Sequence, residues 1–175
     1  MAKYAAKTEF PVLTDPIIRM VDDMVGFQDS MICHNMRRTR AHPTDWKWVK
    51  IRGHRRSGFT TTAFKLLQYY PSSLIVYPSQ DMLQYARRQA IVERLVPAIG
   101  DALHDNYSTG GHSKYLKFDE QMGDGRWFLG RSPNDRHELI ILDQASMIEG
   151  SRGWENMNRF RDELFMYCDV LVELN

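Results

Sequence analysis

The segment Gly53-His54-Arg55-Arg56-Ser57-Gly58-Phe59-Thr60-Thr61 combines the residue types that hold phosphate. Glycines let the backbone turn its N–H groups toward an anion, and the hydroxyl residues open a helix whose dipole favours negative charge. Gly53, Gly58 and Thr60 stand at the spacing of the phosphate-loop pattern G-x-x-x-x-G-K-[ST], with Ser57 and Thr61 beside them. The lysine of that pattern reaches the outer phosphates; here its place is taken by Phe59, which can neither donate a hydrogen bond nor carry charge. Arg55 and Arg56 offer positive charge from the other side of the loop, in a planar, forked geometry unlike that of lysine. The other role open to the segment is that of a basic turn between a strand and a helix.

A phosphate loop of this kind works with an aspartate at the end of a buried strand, where it helps to hold Mg²⁺. Leu139-Ile140-Ile141-Leu142-Asp143 supplies that arrangement, so Thr60 and Asp143 are the candidate metal-holding residues. The residue after Asp143 is Gln144, whose neutral amide can orient a water molecule but cannot take its proton near neutral pH. Arg55, Arg56, Asp143 and Gln144 are the candidate catalytic residues. A simpler role remains open for Asp143, that of capping the turn that follows it.

The elements that must position these residues can be read from hydrophobic spacing. Residues 1–45 read as an N-terminal arm with helices, and residues 46–175 as an α/β core. Pro11 and Pro16 break any early helix, and Ile17, Ile18, Met20, Val21, Met24, Val25, Met31 and Ile32 fit two helices hinged at Gly26. Trp46 to Arg52 alternates as a short strand, and Thr60 to Tyr70 reads as a helix closed by Pro71. Leu74–Tyr77 and Leu139–Leu142 are apolar at every position, as expected of strands at the centre of a parallel sheet. A helical stretch from Ser79 to His104 is interrupted near Pro97. Further strands are expected at Tyr115–Phe118 and Arg126–Leu129, a helix at Trp154–Tyr167, and a last strand at Val170–Leu174, interrupted by Glu173. Strands alternating with helices imply a mostly parallel sheet covered on both faces.

Composition narrows the class. The chain has 175 residues, 43% hydrophobic and 26% charged, enough for a real core. No run of 18 apolar residues occurs, so no membrane partner is expected. Cys33 and Cys168 match no metal spacing and suggest a reducing, cytoplasmic compartment. The net charge is only +1, but its distribution is uneven. Arg37, Arg38, Arg40, Lys47, Lys50, Arg52, Arg55 and Arg56 face the single acid Asp45 within one stretch. A basic block in a neutral protein suggests a phosphate-bearing partner, with Arg37, Arg38, Arg40 and Lys47 as candidate nucleic-acid contacts.

Taken in order, Phe27-Gln28, the phosphate loop, Leu74-Ile75-Val76-Tyr77-Pro78-Ser79, Gln84-Tyr85-Ala86, Gly125-Arg126-Trp127-Phe128-Leu129 and Leu139 to Ser146 resemble the ATPase domain of the viral large terminase, the DNA-packaging motor. Superfamily 2 helicases share much of that layout. The resemblance spans roughly residues 25–175. It implies a three-layer, RecA-like P-loop NTPase core with an N-terminal helical extension, ATP and Mg²⁺ as ligands, DNA as partner, and the cytoplasm of an infected cell as location. Gln28 would contact adenine, Gly53 to Thr61 would hold the phosphates, and Asn175 lies near the family's coupling motif. Such motors complete their sites with an arginine from a neighbouring copy or partner chain, a part that Arg152, Arg159 or Arg161 could play.

The chain departs from the family at Phe59 and Gln144. The leading expectation is therefore a reduced terminase-like protein that binds nucleotide, nucleic acid or both, with weak or no hydrolysis. One alternative is an active packaging or helicase-like motor in which Arg55 or Arg56 replaces the lysine. Another is a viral accessory protein that docks a partner through Trp46, Trp48, Trp154 and Met157.

Overall fold

The computed structural model describes residues 14–33, 47–53, 57–92, 115–117, 136–152 and 154–175. In chain order the elements are α1 (Thr14–Cys33), β1 (Trp48–Ile51), α2 (Phe59–Tyr69), β2 (Leu74–Tyr77), α3 (Gln80–Val92), β3 (Tyr115–Lys117), β4 (His137–Asp143), α4 (Ala145–Arg152), α5 (Trp154–Tyr167) and β5 (Cys168–Leu174). The five strands form one sheet in the order β1-β5-β4-β2-β3, and every pairing is parallel.

The apolar strands take the central positions for the reason their sequences suggest. β2 is buried along its whole length, and Leu139 to Asp143 of β4 are buried as well. β5 is central too, between β1 and β4, although its sequence carries Glu173. That carboxylate is fully buried and receives two hydrogen bonds from Arg161, Nε to Oε1 at 2.5 Å and an NH2 group to Oε2 at 3.3 Å. Lys50, its register partner on β1, adds an ammonium 3.5 Å away. Both cations also lie about 5 Å from the ring of Trp48.

Helices cover both faces. Ile17, Ile18 and Val21 of α1, Phe64 and Leu67 of α2, and Leu83 and Ala86 of α3 share one core cluster with Val49, Ile75, Ile141 and Val172 of the sheet. Ile148 of α4 and Met157, Phe160 and Leu164 of α5 share the other with Val76, Ile140 and Leu171. The arrangement is thus helices, parallel sheet, helices. Right-handed crossovers require it, because β1-α2-β2 and β4-α5-β5 run across the sheet in opposite directions.

Several expectations change. α1 is one helix and not two: a glycine in a helix interior costs only about 1 kcal/mol, too little to break a helix anchored by buried Ile17, Ile18 and Val21. Pro16 sits in its first turn, where an N–H has no helical partner in any case. The turn expected after Asp143 is a helix of 8 residues, α4. The expected strand Arg126–Leu129 and the helical stretch beyond Val92 lie outside the described residues.

Candidate functional site

β1 delivers the chain to the carboxyl edge of the sheet, where β4 and β5 also end. The β1–β5 ladder continues one step beyond the strands: Asn175 N–H donates to Ile51 O at 2.9 Å, and Gly53 N–H donates to Asn175 O at 2.8 Å. The base of the loop is thereby fixed to the end of the central strand.

Both loop glycines are required by geometry. Gly58, just before α2, has φ 77°, a left-handed conformation that side chains disfavour. Its carbonyl accepts Thr62 N–H at 2.8 Å and the Thr62 hydroxyl at 2.9 Å, which starts the helix. A Cβ on Gly53 would lie 2.7 Å from Cζ of Phe59 and 2.9 Å from Oγ of Ser57. Phe59, at the lysine position, thus folds back over the base of the loop, and its ring is partly buried against the core.

The central observation of the site is a link between two segments 83 residues apart: the Thr60 hydroxyl donates to Asp143 Oδ2 at 2.9 Å. Asp143 is only 1% exposed, and its Oδ1 has no hydrogen-bond partner among the described residues. Burial pushes its carboxyl up to about 6, against the opposing pull of the Thr60 hydroxyl and the Gln144 backbone N–H.

Gln144 has φ 59°, the left-handed region again, now with a side chain present. This turn swings the chain sharply from β4 into α4, with Met147 N–H donating to Gln144 O at 2.9 Å. The side-chain oxygen of Asn175 accepts the Ser146 N–H. The ends of β1, β4 and β5 are therefore joined by hydrogen bonds at one place.

Above this junction lies an open cleft of about 800 Å³. Gly53, Ser57, Gly58, Phe59, Thr60 and Thr61 line it on the α2 side, Asp143, Gln144, Ser146, Met147 and Asn175 at the strand ends, and Met82 and Tyr85 on the α3 side. A crevice at the carboxyl edge of a parallel sheet is where α/β proteins of this architecture take ligands.

The structure brings together Gly53, Ser57, Gly58, Phe59, Thr60, Thr61, Asp143 and Gln144 as the sequence led us to expect. Gln28 lies in the second half of α1. Arg37, Arg38, Arg40, Arg55 and Arg56 lie outside the described residues.

Lys47 is a correction. It is buried at the amino end of β1, the opposite end of the strand from the loop, and its Nζ donates to Phe165 O at 3.5 Å. It is therefore not part of an exposed basic surface. Arg161 is likewise committed to Glu173 inside the protein and cannot reach a neighbouring copy. Met157 is fully buried, and Trp48 packs edge-on against Phe165 at 6.4 Å, so neither is an exposed docking residue.

Sequence reasoning did not assign Met82, Tyr85, Ser146 or Met147 to the site. Tyr85 lies in the second turn of the helix that follows a buried strand, a position near the carboxyl edge once the sheet is known to be parallel.

No known family, curated protein or solved structure matches the chain. Among the described residues the chain is an α/β protein with an all-parallel sheet and an open cleft at its carboxyl edge. No helix among the described residues is long and apolar enough to cross a membrane.

Proposed function

We propose that this protein is a reduced P-loop domain, of the kind found in viral large terminases, that binds a nucleoside triphosphate and hydrolyses it slowly or not at all, in association with nucleic acid. One observation carries the reading: the Thr60 hydroxyl and the buried Asp143 carboxylate meet at 2.9 Å beside a glycine-led helix N-terminus. Phosphate would sit against the backbone N–H groups at the start of α2, where the helix dipole favours it.

The residues present suit Mg²⁺ held largely through water. Asp143 Oδ1 is buried without a hydrogen-bond partner among the described residues, and Thr60 Oγ1 lies beside the same carboxylate. No group of three or more His, Cys, Asp or Glu among the described residues could enclose a metal directly, so phosphate and water would complete the shell. When bound, the ion would neutralise charge developing on the phosphates.

The chain's own residues explain why hydrolysis would be slow. Phe59 spends the lysine position on packing against Gly53 and contributes no charge. Gln144 can orient water by hydrogen bonding but cannot remove its proton. Removing one preorganised charge from such a site typically lowers the rate by about 10²–10³, and here positions 59 and 144 carry neither the lysine charge nor a carboxylate base.

The test is calorimetric titration of ATP, with and without Mg²⁺, into wild type, Thr60→Ala and the Arg55→Ala/Arg56→Ala double variant. Binding by wild type that weakens in both variants is expected. The absence of binding at millimolar ATP would show that the loop no longer holds phosphate and would end this reading.

A further inference from the structure

The α3 side of the cleft has a different character from the phosphate cradle. Tyr85 on α3 and Met147 on α4 are large side chains, 61% and 53% exposed, and both line the cleft. Met82, also on α3, is partly buried against the core. Exposed aromatic surface at the rim of a polar cleft is available to a flat apolar ligand.

The strand order fixes where this wall stands. The cradle follows β1 and α3 follows β2, and β5 and β4 lie between them. The Thr60–Asp143 hydrogen bond carries the cradle across to the end of β4, which pairs directly with β2, so one strand spacing of about 4.8 Å separates that contact from the strand that leads into α3. Arg88, one turn beyond Tyr85 on α3, is exposed and is not among the residues that line the cleft, so a ligand that uses both side chains leaves the cleft along the helix.

α3 shows the chemistry of that ligand. Ser79 caps the helix, its hydroxyl accepting Met82 N–H at 3.3 Å, and this sets the exposed face that begins the helix. Tyr85 and Arg88 lie three residues apart, neighbours on one side of the helix, and both are exposed. Asp81 lies one turn before Tyr85 and repels phosphate, so a strand's backbone is directed toward Arg88. An aromatic face followed one turn on by a guanidinium matches a base followed by its phosphate.

We propose that Tyr85 is a stacking platform for an unpaired base of single-stranded nucleic acid, with Arg88 taking the phosphate one turn further along α3. The inference deepens the reading above, from which it takes nucleic acid as the partner. Stacking on an aromatic face tolerates any base but requires that the base be out of a duplex.

The test is fluorescence anisotropy of a labelled oligothymidylate and of a duplex of the same length, with ATP binding measured on the same proteins. Tyr85→Ala should weaken the single strand about tenfold or more, while Tyr85→Phe retains affinity and ATP binding is unchanged. Arg88→Gln should lower the slope of log affinity against log salt by about one. Because Tyr85 is largely exposed, its truncation leaves the core intact, which a thermal melt verifies.

Unchanged strand affinity in Tyr85→Ala overturns the proposal, as does duplex binding equally tight and equally dependent on Tyr85. Loss of ATP affinity in Tyr85→Ala with strand affinity unchanged also overturns it and places the nucleotide's own base on that wall. If ATP fails to bind while the Tyr85-dependent strand affinity holds, the nucleotide reading fails and the stacking platform stands.

Discussion

Replacing Asp143 with asparagine keeps the size of the side chain and removes its charge, so it isolates the energetic consequence of burying that carboxylate. In the folded protein the group is pushed from 3.8 up to about 6, with burial as the leading cause. Each unit corresponds to about 1.4 kcal/mol, so the folded state favours the protonated form by about 3 kcal/mol. A group whose folded value is raised contributes stability that is fully present below its unfolded value and is lost as pH rises through the folded value. The window therefore runs from about 3.8 to about 6.

Between about pH 4.5 and pH 7.5 the wild type should lose about 2 kcal/mol from this group alone, and Asp143→Asn should not. The assay is urea denaturation of both proteins at the two pH values, with chelator present. Any cost of burying the amide N–H₂ is independent of pH and cancels in the comparison. A stability difference between variant and wild type that is the same at both pH values would refute the reasoning, because the carboxylate would then not be held in a desolvated site.

Other predictions concern the frame around the site. Glu173→Gln leaves Arg161 buried with Glu149, 3.6 Å away, as its remaining carboxylate partner and should destabilise by about 3 kcal/mol, the lower end for breaking a buried pair, whereas the apolar pair Arg161→Met/Glu173→Leu should recover most of the loss in the same denaturation assay. Gly53→Ala forces the Phe59 ring to move, so a double-mutant cycle with Phe59→Ala should show a favourable coupling on the order of 1 kcal/mol; strict additivity would mean that the ring does not rest on the loop. Cys168 is fully buried and its thiol is pushed up to about 12 by burial. Its alkylation should therefore follow the rate and denaturant dependence of unfolding; rapid labelling of the native protein would contradict its place beneath α5.

The sequence alone determined the parts of this protein that depend on local pattern. Leu74–Tyr77 and Leu139–Leu142 announce buried parallel strands because nothing polar interrupts them. The loop from Gly53 to Thr61 announces a glycine-led turn into a helix because Gly58 and the hydroxyl residues after it keep a spacing that local backbone geometry dictates. The tie of Thr60 to Asp143 was expected from motif order, but whether the two meet depends on strand order, and no local pattern fixes that.

Tertiary structure alone decided the fate of the charged residues. Glu173 interrupts an apolar run and yet lies in a central strand, because Arg161 from α5 and Lys50 from β1 neutralise it there. Lys47 read as part of a basic surface and Arg161 as an arginine for a neighbouring copy; both are instead enclosed, bonded to Phe165 O and to Glu173. Tyr85 came to line the cleft only when the parallel sheet placed the start of α3 beside the ends of β4 and β5. A residue's type and spacing limit the chemistry it can perform, but its partners come from chain segments far away, and only folding brings those within hydrogen-bonding distance.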